Sequence, residues 1–387
     1  MLERLKPRWV ADMTGIEGVA GACRAAGRFA LDTEADSLHS YFHKVCLIQV
    51  SAGGRHFLVD PLALGKEGLG PLLEVIADPG IPVYMHGADY DVRVLDRDFQ
   101  SRIGGLVDSQ IMAHLLGEPR TGLGVLLERE LGVKQDKKYQ RADWGRRPIP
   151  DQMLAYAAVD TAFLEALAGR LKKRLVALGR LGWVEEECRH LEQVRFHPPE
   201  VGASGFERLK GARTLKGAAR DRAYSLYCWR DEMARRLDRP PFRVLGNREL
   251  LFLAENPAQT LGELERRPGV GPRFVRRWGR EVLERLVRPG EAPARERTRA
   301  SVQMTSDQRR AFKSLRQARD EVAERLHLEP GLMCPKALLE KIALGNAEPR
   351  EAGDLEACGL EGWRLECLGE AFLEVMEKCR GDQPTPV

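Results

Sequence analysis

The first 180 residues mix short apolar runs with helical patterns. Arg28–Thr33, Val45–Val50, His56–Val59 and Ile81–His86 are apolar and rich in β-branched and aromatic side chains, which predicts four buried strands. Ahead of them, Thr14-Gly15-Ile16-Glu17 has capping-box spacing and predicts a helix start. From Pro150-Asp151 to Leu178 the pattern predicts one long helix, with Leu164, Leu167, Leu171 and Leu175 stepping by three and four and Gly179 placed to end it. Strands interleaved with helices in this proportion describe an α/β or α+β domain.

Beyond about residue 200 the period-two signal disappears and the chain reads as helical. His197-Pro198-Pro199-Glu200 and the stretch Arg288-Pro289-Gly290-Glu291-Ala292-Pro293 are expected linkers. Sliding the chain on itself by 89 residues superposes Leu226–Ala254 on Leu315–Ala343 without a gap, with ten identities in 29 positions. Among them are Arg230 with Arg319, Asp231 with Asp320, and Pro241 with Pro330. Two copies of one small helical unit account for this. The expected domains are therefore 1–195, 210–289 and 302–380.

Charge separates the two copies. The whole chain carries +4, but residues 1–200 hold 26 Lys/Arg against 28 Asp/Glu, residues 201–300 hold 23 against 13, and residues 301–387 hold 12 against 16. These are net charges of −2, +10 and −4, so a polyanion would be drawn to the middle of the chain. There, Arg266-Arg267-Pro268-Gly269-Val270-Gly271-Pro272-Arg273-Phe274-Val275-Arg276-Arg277 sets a glycine turn before a helix start flanked by five arginines. Backbone N–H groups and guanidinium forks suit phosphate oxygens, which makes Arg273, Arg276 and Arg277 candidate nucleic-acid-binding residues. An Arg-rich solvated surface is the plain alternative. No apolar run approaches the length of a membrane span, and Met1–Pro7 lacks the apolar core of a secretory signal, so a cytoplasmic location and no membrane partner are expected. Eight scattered cysteines with no CxxC pair are expected to be reduced thiols.

Four carboxylates and a tyrosine carry the chemistry. Asp32 and Glu34 lie two apart at the end of a predicted strand, so both side chains leave the same face. Paired carboxylates resist burial unless a cation lies between them; a solvent-exposed strand end is the plain reading of the pair alone. Asp91 follows an apolar strand in His86-Gly87-Ala88-Asp89-Tyr90-Asp91, where a carboxylate often serves only as a helix cap. Tyr156 and Asp160, four apart on a predicted helix, share one face. Together these residues supply hard oxygen ligands for two divalent ions and a hydroxyl to position water, which in-line hydrolysis of a phosphodiester requires. Asp108 is expected to cap a helix, with an approach to the site as its alternative, and His86 to be a satisfied strand-end histidine rather than a general base. Trp144 is a candidate for stacking on a base, although a core position is the commoner outcome for a tryptophan, and Lys137-Lys138 is either a contact with a nucleic-acid backbone or plain surface.

In order and local sequence these residues resemble the DEDDy 3′→5′ exonucleases, which have a ribonuclease H-like fold. The carriers are Asp32-x-Glu34, the His-Gly-Ala-x-x-Asp segment ending at Asp91, Tyr156-x-x-x-Asp160, and Gln140-Arg141-Ala142-Asp143-Trp144-Gly145-Arg146-Arg147-Pro148, which is similar to the stretch before the third motif in the ribonuclease D branch. The repeated unit resembles the HRDC domain. The resemblance implies an α/β nuclease domain followed by two all-α HRDC domains. It implies Asp32, Glu34, Asp91 and Asp160 as ligands of two Mg2+ or Mn2+ ions, with Tyr156 orienting water. The His-Gly-Ala register selects Asp91 over Asp89. The implied activity is 3′ trimming of transfer RNA precursors and other small stable RNAs, with release of nucleoside 5′-monophosphates by a monomer. A DNA exonuclease sharing these motifs and an inert nucleic-acid-binding scaffold are the alternatives. Retention of all four carboxylates speaks against the scaffold.

Overall fold

The computed structural model describes residues 5–135, 138–294, 304–345 and 349–381. The first part is built on one mixed sheet of β1 (Arg8–Val10), β2 (Phe29–Ala35), β3 (Val45–Ala52), β4 (Arg55–Val59), β5 (Val83–Met85) and β6 (Leu106–Asp108), in the order β1-β4-β3-β2-β5-β6. β2, β3 and β4 form an antiparallel meander, and β1, β5 and β6 add in parallel at its edges. All four predicted strands form, with boundaries shifted by a few residues. β1 and β6 have three residues each, too few to show a period in the sequence. The middle of the sheet is fully buried, as expected for near-continuous apolar runs: Leu31, Leu47, Ile48 and Val50 are each 0% exposed.

Two expectations need correction. The first helix, Met13–Ala26, is capped by Asp12 rather than Thr14. The Asp12 carboxylate accepts from Gly15 N at 2.7 Å, a role that a carboxylate fills as well as a hydroxyl. The long helix is broken at Phe163 into Asp151–Ala162 and Leu164–Ala177. The break lets the first half lie on β2, β3 and β4 while the second packs against β5 and the helix Ser109–Leu115. The predicted leucine ladder belongs to the second half alone. Gly179 does adopt the left-handed conformation after it, at φ 68°.

After the helix Leu181–Glu192 the chain is irregular over residues 194–201, and the described residues beyond it form helices and their connections with no strand. The two repeats keep their offset of 89 in three dimensions. Gly217–Arg236 matches Ser306–Leu326 at its start, Pro241–Val244 matches Pro330–Met333, and Asn247–Glu255 matches Lys336–Leu344. Each repeat ends in a helix, Pro272–Val287 in the first and Gly362–Gly381 in the second. The first repeat has a core of its own around Phe206, Trp229 and Leu250. The core of the second is continuous with that of the sheet domain. The α/β nuclease fold followed by all-α repeats is thus as expected. None of the eight cysteines is in a disulfide, and burial pushes the Cys23, Cys46 and Cys188 thiols up to about 12. Among the described residues no helix is long and apolar enough to cross a membrane.

Candidate active site

β2 presents Asp32 and Glu34 on one face, and the helix Asp151–Ala162 crosses that face carrying Tyr156 and Asp160. Carboxylate oxygens of Asp32, Glu34 and Asp160 lie within 4.8 Å of one another. They line an open cleft with Leu38, His86, Gln140, Arg141 and Tyr156. Burial and mutual repulsion leave their marks. Burial first, then Asp91, Asp160 and Glu34, hold the Asp32 carboxyl well above the usual range. Glu34 is pushed up to about 8, by burial and then by Asp160 and Asp91. Asp160 rises to about 7 through burial, opposed by a hydrogen bond from the Gln135 amide. Three oxygens converging at this distance, each disfavoured as an anion, form a donor set that fits a hard divalent cation.

Asp91 stands beside this trio without joining it. It is 6% exposed, and its Oδ1 accepts from both Thr33 N (3.1 Å) and Thr33 Oγ1 (2.6 Å). β5 ends at Met85, so Asp91 supplies to β2 an acceptor that the shorter neighbouring strand does not. Its carboxyl is pushed up to about 6 by burial, against the lowering effect of Thr33.

The His-Gly-Ala turn before Asp91 is held by Asp108, which the sequence reading took first as a helix cap and second as a neighbour of the site. Asp108 does cap the helix Ser109–Leu115, accepting from Gln110 N (2.7 Å) and Ile111 N (3.2 Å). It also accepts from Gly87 N (3.0 Å) and Ala88 N (2.7 Å), so one buried carboxylate joins two segments of the site. Gly87 has φ 70°, and a Cβ there would approach the Gln110 amide to 2.9 Å, so the turn needs glycine. Nothing local in the sequence foretells the link, because 20 residues separate the partners.

Tyr156 is 8% exposed and is clasped by two rings, Tyr139 edge-on at 5.7 Å and Trp144 stacked at 6.3 Å. This corrects the assignment of Trp144 to base stacking. At 1% exposed its ring has no free face, and it serves as the platform for Tyr156. Arg147, from the same stretch, anchors that platform to the sheet. It pairs with both oxygens of Asp60 at 2.8 and 2.6 Å and donates to Cys46 O at 2.7 Å and Trp144 O at 2.8 Å. Gln140 and Arg141, quoted above only as part of a motif, line the cleft, and Gln135 reaches Asp160; these the sequence reading missed. Arg273, Arg276 and Arg277 flank the start of the helix Pro272–Val287 as expected but are not among the residues lining the cleft. Lys137 lies outside the described residues, and Lys138 sits over the Tyr139 ring at 5.2 Å.

Residues 7–176 match the 3′–5′ exonuclease family, and residues 219–286 and 308–376 each match the HRDC domain. Exosome complex exonuclease RRP6 of Saccharomyces cerevisiae is 33% identical over 297 residues, which cover 73% of this chain but only 40% of that longer protein. Ribonuclease D of Xanthomonas oryzae is 30% identical over 365 residues, 92% of this chain and 96% of the relative. Among solved structures, Escherichia coli RNase D is similar at a TM-score of 0.68 with 25% identity, covering 96% of this chain and 99% of that one. A relationship that runs almost end to end, through the nuclease segment and both repeats, makes this chain a member of the ribonuclease D family of metal-dependent 3′→5′ exoribonucleases.

Proposed function

We propose that the protein trims the 3′ ends of transfer RNA precursors and other small stable RNAs, hydrolysing one phosphodiester at a time and releasing nucleoside 5′-monophosphates with two Mg2+ or Mn2+ ions bound. The observation that carries this reading is the convergence of the Asp32, Glu34 and Asp160 oxygens within 4.8 Å beneath Tyr156. The Escherichia coli relative, an exoribonuclease involved in structured RNA processing, supports the substrate class.

Asp32, Glu34, Asp91 and Asp160 would hold the ions. When bound, these supply Lewis acidity at the phosphate and at the leaving 3′-oxygen. The rest falls to the chain. The Tyr156 ring, fixed by Trp144 and Tyr139, aims its hydroxyl at the attacking water. Arg141, exposed at the rim of a cleft lined with carboxylates, offsets their charge for an incoming phosphate. Thr33 and Asp108 keep Asp91 and its turn in place.

Asp32→Asn and Asp160→Asn are each expected to abolish turnover in magnesium while leaving the fold intact. Tyr156→Phe keeps the ring and should slow turnover on the order of a hundredfold with little change in RNA affinity. The decisive assay digests a transfer RNA precursor labelled at its 3′ end or its 5′ end, beside a DNA strand of the same sequence. Near-wild-type rates in either Asn variant, or preference for DNA, would overturn the reading.

A further inference from the structure

β2 carries Asp32 and Glu34 and runs directly into the loop 36–44, whose Leu38 lines the cleft. The loop is held in shape by Asp36, 2% exposed, which accepts from Lys44 N (2.7 Å) and Ser40 Oγ (2.8 Å). Its far end is gripped by the first repeat. The backbone N–H groups of Tyr41 and Phe42 both donate to Asp238 Oδ1, at 3.0 and 2.9 Å, and the Tyr41 hydroxyl donates to Asp231 at 3.0 Å. The nuclease domain and the first repeat therefore meet on a loop that begins at the active-site strand. Phe42 lies four positions after Leu38, at most about 14 Å of chain.

Two large rings flank this seam and are buried by neither side. Phe42 is 60% exposed on the loop, and Phe242 is 50% exposed on the short helix just beyond Asp238. Arginines surround them. Arg235 lies over the Tyr41 ring at 5.7 Å, Arg243 over Phe242 at 5.7 Å, and Arg239 is exposed between them in sequence. Among the described residues, neither Arg239 nor Arg243 forms an ion pair. Exposed rings beside guanidinium groups that stand outside any ion pair, one of them already stacked on Phe242, suit a single nucleic-acid strand, which offers bases and phosphates in alternation. A protein partner would call for a contiguous apolar patch, which two rings set among arginines do not make.

We propose that the seam between the loop 36–44 and the first repeat, marked by Phe42, Phe242, Arg239 and Arg243, is a second binding site for single-stranded RNA, holding the segment upstream of the 3′ end as it leaves the cleft. This rests on reading the cleft as an RNA-degrading site. The test uses the full-length protein, Phe42→Ala/Phe242→Ala and Arg239→Gln/Arg243→Gln. Binding of an oligouridylate of about twelve nucleotides is measured in EDTA, and hydrolysis of that oligomer and of a dinucleotide is measured in magnesium. The phenylalanine variant should bind the oligomer roughly tenfold or more weakly, because each stacked base is lost outright. Its KM for the oligomer should rise, while the dinucleotide, too short to leave the cleft, is hydrolysed as before. The arginine variant should flatten the plot of log affinity against log salt by about 1.4, two phosphate contacts on a single strand. Unchanged oligomer binding in both variants overturns the proposal. So does an equal loss on the dinucleotide, or a change confined to self-association in sedimentation, which would make the face a contact between copies. A wild-type protein that binds the oligomer but hydrolyses neither substrate would sink the proposed activity, and the binding data would still decide the seam.

Discussion

The two helical repeats are copies whose corresponding faces have different neighbours. Inside, they are the same machine. Arg230 donates to Leu245 O at 3.0 Å in the first, and Arg319 donates to Cys334 O at 2.9 Å in the second, both between residues 15 apart. Asp238 and His327, offset by 89, both take the left-handed backbone, at φ 46° and 53°. Outside, they diverge. The second position of the last helix is Arg273 in one and Trp363 in the other. Trp363 is 1% exposed, stacks on Trp183 of the nuclease domain at 4.8 Å, and donates through Nε1 to Glu187 at 2.7 Å. Arg364 pairs with Glu187 as well, and the buried Arg180 ties Leu115 O to Leu326 O at 2.9 and 2.8 Å. At Gly117 a Cβ would come within 2.0 Å of His327 O, so the nuclease loop has no room for a side chain there. Where the second repeat puts Leu328 and Leu332, the first has Arg239 and Arg243. A duplicated unit has thus kept its internal hydrogen bonds. One copy has turned apolar surface into interdomain core, and the other has kept charge that faces solvent.

The largest test of that contrast is Trp363→Ala. It should cost about 3–5 kcal/mol, the usual range for a buried tryptophan, and lower the urea midpoint of the nuclease domain and second repeat together. Hydrolysis of short RNA below the transition should be unchanged. If the two units melt apart in the wild type, the continuous core is not cooperative and the contrast fails.

Acid–base chemistry should act on one unit and spare the other. Asp91, Asp160 and Glu34 are pushed up to about 6, 7 and 8 in the fold, against values near 4 in the unfolded chain. Their contribution to stability is therefore fully present below about pH 4 and is lost as pH rises towards 8. Calorimetry of the metal-free protein should show the transition of the nuclease domain and second repeat falling between pH 5 and about 8, while that of the first repeat stays put. Magnesium should reverse the fall at the upper end, since a bound cation favours the ionised carboxylates. A pH-independent nuclease transition would contradict the carboxylate cluster.

Replacing Arg273, Arg276 and Arg277 together with Gln should lower the salt slope of affinity by about 2 on single strands, three contacts at roughly 0.7 each, and leave stability nearly unchanged. The same assay on Arg364→Gln should leave the slope alone, because that arginine is spent on Glu187. The smallest effect belongs to Tyr41→Phe, which removes one hydrogen bond to Asp231 and should loosen the first repeat by about 1 kcal/mol. Hydrogen exchange at the Phe42 amide would report it, and equal protection in both proteins would mean that Asp238 alone holds the seam.

Much of this was legible in the residue order. Apolar runs announced four of the six strands, because a buried strand writes its burial into consecutive residues. The offset of 89 announced the repeat. The spacings Asp32-x-Glu34 and Tyr156-x-x-x-Asp160 announced side chains sharing a face, because the strand and helix periods are local geometry. What the sequence withheld depends on partners far along the chain. Trp144 could have stacked on a base although a core position was the commoner outcome, and its burial against Tyr156 decides for the core. Asp108 looked like a plain cap until the parallel pairing of β5 and β6 brought it under Gly87. The single long helix had to break at Phe163, since a straight rod would not follow both the meander and β5. Above all, charge told the repeats apart but not where each would sit. Composition sets how strongly a surface is drawn to water or to RNA; only the packing of Trp363 on Trp183, and of Asp238 on Tyr41 and Phe42, decides which surface is left to meet them.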